Sequence, residues 1–425
     1  MSLCLHENNT QLQLMTSSIK LQMEYEMLED SNDVNMTIMI NDTIPSAPSE
    51  MTNLTLGGYC NPWLGELGAW YGGVHGYSSL VVCLFGCVMN LLNLVVLTRR
   101  EMHNPTNAIL TGLAFADLLN DLEYMPFALF MKVLARPGYP PKTNPWALFV
   151  LAHSNFSQVC HTISIWLTVT LAVWRYMMVA MPMQNKTLCT MERAKLAIII
   201  AYVCSLLVCI PLNLSFSIKD TSGMSSNVTM NGTDVKYYVY YSDLAQAHDK
   251  LLVKANFWTY SVVIKLIPCL VLTVVSFRLI NSLMEAKRRK AQLKGGGRGA
   301  AKGGEDGGGD RTTRMLLAVL LLFLMTEFPQ GILGLLSLLL GDAFFRSCYL
   351  PLGDLMDIVA LSNSAINFIL YTAMSLKFRQ VFMATFHLNK LCPQQRLSPE
   401  SDLTTTRVIH SIALPSNGVH QSPLA

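Results

Sequence analysis

The chain has 425 residues, of which 51% are hydrophobic and 14% charged, with a net charge of +3. A mean hydropathy of +0.35 is too apolar for a string of soluble domains and makes lipid the expected solvent of the core. Eleven cysteines would define a disulfide scaffold in a short secreted chain, but Cys83, Cys87, Cys204, Cys209 and Cys269 lie inside apolar runs and read as small buried hydrophobes.

Residues 1–73 read as a polar, disordered tail that carries Glu24, Glu26, Glu29 and Asp30 and has no apolar core of a cleavable signal peptide. Asn-x-Thr acceptor sites at Asn35, Asn41 and Asn53 fit a glycosylated extracellular segment. The pattern is weak alone, because Asn185 matches it on the opposite side while Asn227 and Asn231 match it in a later outer connector. A hydrocarbon layer of roughly 30 Å takes about 20 apolar helical residues. Seven stretches satisfy this, at about 74–98, 106–133, 148–178, 194–216, 254–282, 314–340 and 351–374. From Leu376 to His387, Phe378, Val381, Phe382 and Phe386 fall at helical spacing, as in a helix lying on a membrane surface.

The expected fold is therefore an all-α membrane protein, a seven-transmembrane helix bundle with a C-terminal amphipathic surface helix over residues 74–390. A Gly-rich third intracellular loop is expected at about 285–312, with its stretch from Lys294 to Asp310 unfolded. Residues 391–425 read as a disordered cytoplasmic tail with Ser398, Ser401, Thr404, Thr405 and Thr406 open to phosphorylation and Cys392 placed for a palmitoyl anchor. Arg99, Arg100, Arg175, Lys186, Arg193, Lys195 and Lys287 through Lys290 mark the cytoplasmic connectors. That puts the N-terminus outside and the C-terminus inside, in a multi-pass protein of the plasma membrane.

Polar groups at membrane depth are costly and need a partner or a function. Asn93, Asp117, Asn363 and Asn367 fit either a pocket for a small cation or a static polar knot between helices. In the outer half, Asp121, Glu123, Tyr124, His153, Gln158, His161, Trp258 and Gln330 form the candidate ligand-binding cluster. No Ser-His-Asp order, His-Glu-x-x-His or phosphate loop is visible, so neither an enzyme nor a bound cofactor is expected, and nothing points to nucleic acid. An ion-coupled transporter or channel is the rival class, opposed by the odd helix count and the lack of an internal repeat.

Several motifs recur in the order and spacing of one family. Asn93, Leu113-Ala114-Phe115-Ala116-Asp117, Trp174-Arg175-Tyr176 followed by Pro182, then Pro268, Pro329, and Asn367-Phe368-Ile369-Leu370-Tyr371 followed by Phe378 resemble the rhodopsin-like G-protein-coupled receptors. The resemblance implies a sodium pocket at Asp117, Ser164, Asn363 and Ser364, a G-protein contact at Arg175, and a Tyr371 that swings inward on activation. Within the class, the segments Thr98 to Asn107, His161 to Tyr176, Thr326 to Gln330 and Asn367 to Tyr371 resemble the insect receptors for myoinhibitory peptides and sex peptide, neighbours of the myosuppressin receptors. That branch implies short amidated peptides containing Trp, inhibitory Gi/o-type G proteins, arrestin and receptor kinases as partners.

The chain departs from the class at five places, the least of them a fourth helix without the usual tryptophan. Trp174 replaces the acid before the arginine, so packing around the indole is expected to restrain Arg175 in place of a charge-assisted bond. Glu327 replaces a tryptophan before Pro329 and, desolvated opposite Asp117, is expected as a neutral acid. The usual bridge from the third helix is missing, since Cys160 lies too deep; Cys4, Cys60 and Cys348 face outward, either as a Cys60 to Cys348 bridge or as separate thiols. Phe368 stands where the class has proline.

Overall fold

The computed structural model describes residues 59–134, 142–181, 183–220, 236–247, 251–295 and 307–387. Asn35, Asn41, Asn53, Asn227, Asn231, Cys4, Pro182, Cys392 and the Ser/Thr cluster of the tail lie outside the described residues. Internal contacts divide the chain into two units, Met1–Arg379 and Gln380–Ala425. The first holds the bundle.

Seven long helices form it: α1 (Trp63–Leu97), α2 (Pro105–Phe127), α3 (Asn144–Ala180), α4 (Met191–Val208, prolonged by Ile210–Ser215), α5 (Leu251–Trp258, Thr259–Leu266 and Ile267–Gly295), α6 (Gly307–Leu340) and α7 (Leu350–Met374). A short α8 spans Leu376–Thr385. Among the described residues, five of these runs are long and apolar enough to cross a membrane. The other two, α2 and α7, carry the buried acids Asp117, Asp121 and Asp354.

Local chemistry sets the helix starts. Asn104 caps α2 by accepting from the Asn107 amide at 2.8 Å, and Pro105 follows at the first helical position, where its missing N–H costs nothing. Thr190 caps α4 in the same way through the Arg193 amide. Among the described residues there are three π-helical turns, Ala128–Val133 beyond α2, Thr259–Leu266 within α5 and Phe345–Tyr349 leading into α7. Such a turn inserts a residue and re-aims the side chains that follow.

Three expectations are corrected. First, α1 begins at Trp63 and not at 74, so 63–73 belongs to the bundle. This segment packs on α7 so closely that a Cβ at Gly68 would lie 2.5 Å from the Pro351 carbonyl oxygen, and Cys60 just before it is bonded to Cys348 just before α7. Packing and a covalent tie hold what its mixed composition alone would not. Second, the expected helical bundle stands, and the described residues add to it one strand pair that the sequence reading did not place. Phe216–Asp220 (β1) and Tyr237–Tyr241 (β2) pair antiparallel from Phe216↔Tyr241 to Asp220↔Tyr237. Aromatic and β-branched residues suit a pleated, half-buried surface; Val239 and Tyr241 are buried, and the Phe216 and Tyr241 rings stack. Third, α5 continues to Gly295 and α6 starts at Gly307, so both helices enter the stretch expected to be unfolded.

Replacing both Cys60 and Cys348 by Ser is expected to cost about 2–5 kcal/mol of stability, as removal of a native bridge typically does. A thermal unfolding curve of the purified double variant, set against wild type with and without reductant, measures it; equal curves would show the bridge to be dispensable.

Candidate functional site

Buried polar side chains converge on a cavity among α2, α3, α6 and α7, lined by Asp117, Asn120, His161, Ser164, Glu327, Asn363 and Ser364. Asp117 accepts from the Ser164 hydroxyl at 2.6 Å and from the Asn367 amide at 3.0 Å. One turn on, Asp121 accepts from Asn90 at 3.3 Å and from the Ser364 hydroxyl at 3.3 Å. Gly86 of α1 leaves the room for it, since a Cβ there would collide with the Asp121 carboxylate. Asn120 accepts from Ser157, which fastens α2 to α3.

A second network sits against the same cavity. Lys265 donates to Glu327 Oε2 at 2.6 Å and to His161 Nε2 at 2.7 Å, with His161 Nε2 3.3 Å from the same carboxylate oxygen. The Lys265 and Glu327 side chains are each only 1% exposed. Lys265 stands on the π turn of α5, and the absence of a side chain at Gly331 lets its stem pass, because a Cβ there would lie 2.9 Å from the Lys265 Cβ.

This geometry corrects the expectation for Glu327. Asp117 does share its cavity, but the partner at hydrogen-bonding distance is a cation, and a buried carboxylate 2.6 Å from an ammonium is an ion pair. Lys265 was the missing signal: a lone lysine within the apolar run Val262 to Cys269, the kind of intramembrane charge that needs a counter-ion.

The outer candidates separate. His153 pairs with Glu123, stacks on Phe127 with centroids 3.9 Å apart, and meets Tyr124 edge-on. Gln158 donates to Thr162 on its own helix. His161 and Asp121 belong to the inner networks, while Gln330 is buried one turn beyond Glu327. Trp258 is 52% exposed, unlike the buried Tyr124, and does not serve as a wall of this cavity.

All four residues matched to a sodium pocket line the cavity, yet Ser364 donates to Asp121 rather than Asp117. Asn93 is fully buried, and neither atom of its amide finds a partner among the described residues, so it stays outside the Asp117 network. At the other end of α3, Trp174 is buried and its indole N–H has no acceptor among the described residues. Tyr176 beside it is half-buried. Tyr371 packs against Phe378 and lies within electrostatic reach of Arg175. Pro329 sits within α6 without ending it.

A seven-helix bundle with a polar cavity among its helices and an arginine and a tyrosine within electrostatic reach of each other at one end has the construction of a G-protein-coupled receptor. Residues 77–389 match the model of the serpentine type 7TM GPCR chemoreceptor Srw, and the chain belongs to that family. It is a multi-pass membrane receptor. Among relatives, the G-protein coupled receptor dmsr-1 of Caenorhabditis elegans is 30% identical over 74% of this chain and 68% of its own length. Sex peptide receptor-related protein 2 of the same organism is 26% identical over 80% and 76%. The FMRFamide receptor of Drosophila melanogaster is 24% identical over 76% and 55%.

Breaking a buried ion pair by removing one partner costs about 3–5 kcal/mol, whereas replacing both with apolar groups is often nearly neutral. Lys265→Met and Glu327→Leu should therefore each lower the unfolding temperature of the purified receptor, and the double variant should recover most of the loss. A double variant as unstable as the sum of the singles would contradict a direct pair.

Proposed function

We propose that the chain is a cell-surface receptor for short C-terminally amidated neuropeptides of the myoinhibitory and sex peptide type, signalling through Gi/o-type G proteins. The observation that supports it most is a pair of buried acceptors on one face of α6. Glu327 Oε1 and Gln330 Oε1 have no donor among the described residues, and residues three apart on a helix are neighbours. A primary carboxamide brings two N–H donors and no charge, so it can satisfy both oxygens without disturbing the Lys265 ion pair on Glu327 Oε2. A free carboxylate would bring negative charge to an anion and no donor at all.

In this reading the N-terminus and the Cys60–Cys348 bridge lie outside the cell, while Arg175 and the Ser/Thr-rich tail lie inside, where G protein, receptor kinases and arrestin act. Asp117 and Ser164, with Asn363 beside them, would hold a sodium ion through their oxygens; Ser364 would have to leave Asp121 to join. The ion would stabilise charge on Asp117 in the resting receptor. The FMRFamide receptor among the relatives favours a second reading, an FMRFamide-like or myosuppressin-like agonist.

Cells expressing the receptor, challenged with Trp-containing myoinhibitory peptides, myosuppressins and FMRFamide-type peptides, separate the readings through inhibition of cyclic AMP. A pertussis-toxin-sensitive response led by the Trp-containing peptides is expected, and one led by FMRFamide types would establish the second reading. The free-acid form of the active peptide should lose at least about tenfold in potency, because a hydrogen bond to a charged group is worth about 1.5–3 kcal/mol; equal potency of acid and amide would sink the carboxamide assignment. Trp174→Ala removes the buried indole above Arg175 and should raise basal signalling relative to surface-expressed wild type.

A further inference from the structure

Where α1 meets α7, a second polar cluster stands apart from the cavity. His75 is fully buried, and the hydroxyls of Tyr124 and Ser79 hold its Nε2 at 3.1 and 3.2 Å. Asp354 and Asp357 are three residues apart on α7 and share a face. One ring nitrogen of His75 and one oxygen from each acid lie within 4.8 Å of one another. Lys132, from the π turn beyond α2, reaches Asp354 with its ammonium 3.3 and 3.4 Å from the two oxygens. Gly76 admits the lysine stem, since a Cβ there would sit 2.6 Å from the Lys132 Cβ.

We propose that His75, Asp354 and Asp357 form a binding site for a zinc ion, for which the Lys132 ammonium competes at Asp354. This goes beyond the peptide reading and does not depend on it. One imidazole and two carboxylates are a donor set for zinc, which takes three protein ligands and a water, whereas magnesium and calcium prefer oxygen alone. Bonds of about 2.0–2.2 Å in a tetrahedron separate ligand atoms by about 3.5 Å, so small side-chain rotations close the observed spacing. The imidazole is already oriented by hydroxyls at Nε2, as a metal-bound histidine is by its outer hydrogen bonds.

Charge favours the exchange. A divalent ion brings two positive charges to the two carboxylates, where the Lys132 ammonium brings one to Asp354. The bound ion would tie α1 to α7 through its ligands, in addition to their covalent tie, so zinc should stabilise the packing of these helices.

The test uses the full-length receptor purified in detergent, without thiol or chelator, titrated with zinc chloride and in parallel with magnesium chloride while its thermal unfolding is followed. Zinc is expected to raise the unfolding temperature and magnesium to have little effect. His75→Gln keeps a side chain that can bond Tyr124 and Ser79, and Asp357→Asn keeps the shape of the acid. Each should raise the half-saturating zinc concentration by about tenfold or more, the lower end of what disturbing a zinc site's surroundings does. Lys132→Met should lower it. Where one ligand variant yields too little folded receptor, the other carries the comparison. The proposal is overturned if zinc gives no shift, if magnesium matches it, or if both ligand variants titrate as wild type does, which would place the ion elsewhere.

Discussion

The rest of the bundle depends on a charge that must not be left alone in an apolar interior. Lys265 points inward from α5, and an isolated ammonium there would be prohibitively desolvated. Glu327 of α6 and His161 of α3 meet it, so three helices are fixed relative to one another by the demand that one cation be answered. The π turn that aims Lys265 and the glycine at 331 that lets it pass follow from the same demand. A tryptophan at 327, as most of the class has, would strand the lysine.

Around this pair the molecule separates its acids. Asp117 takes its donors from α3 and α7, Asp121 from α1 and α7, Glu123 from His153, and Asp354 from Lys132. Each of these four carboxylates thus meets partners of its own. This partition lets α2 hold three acids within seven residues, Asp117 to Glu123, and still pack as an interior helix.

The seven helices were legible because a lipid-spanning helix announces itself by length and apolarity, and the Asp117 site because an acid in an apolar run has few roles. Lys265 was passed over since one lysine barely lowers the hydropathy of its run, and only three-dimensional proximity reveals that it faces Glu327. The start of α1 was hidden for a related reason: Gly65, Gly68, Gly72 and Gly73 weaken helix propensity, and the value of Gly68 and Gly72 lies in close approach to Pro351 and Asp354 of α7, which no single segment displays. The β1–β2 hairpin had a readable signal in Tyr237-Tyr238-Val239-Tyr240-Tyr241, obscured by its setting in a connector between membrane spans.

The Cys60–Cys348 bond joins residues 288 positions apart, and with it the chain stops being linear. Its ends are tied at the entrance of the first helix and the entrance of the last, so six of the seven helices and every connector between them lie on a closed covalent ring. A protease that cuts one connector opens the ring without releasing a fragment, and the pieces stay attached until the bridge is reduced. Separating any stretch between Cys60 and Cys348 from the rest therefore takes two events, a cut and a reduction, or two cuts within the same ring.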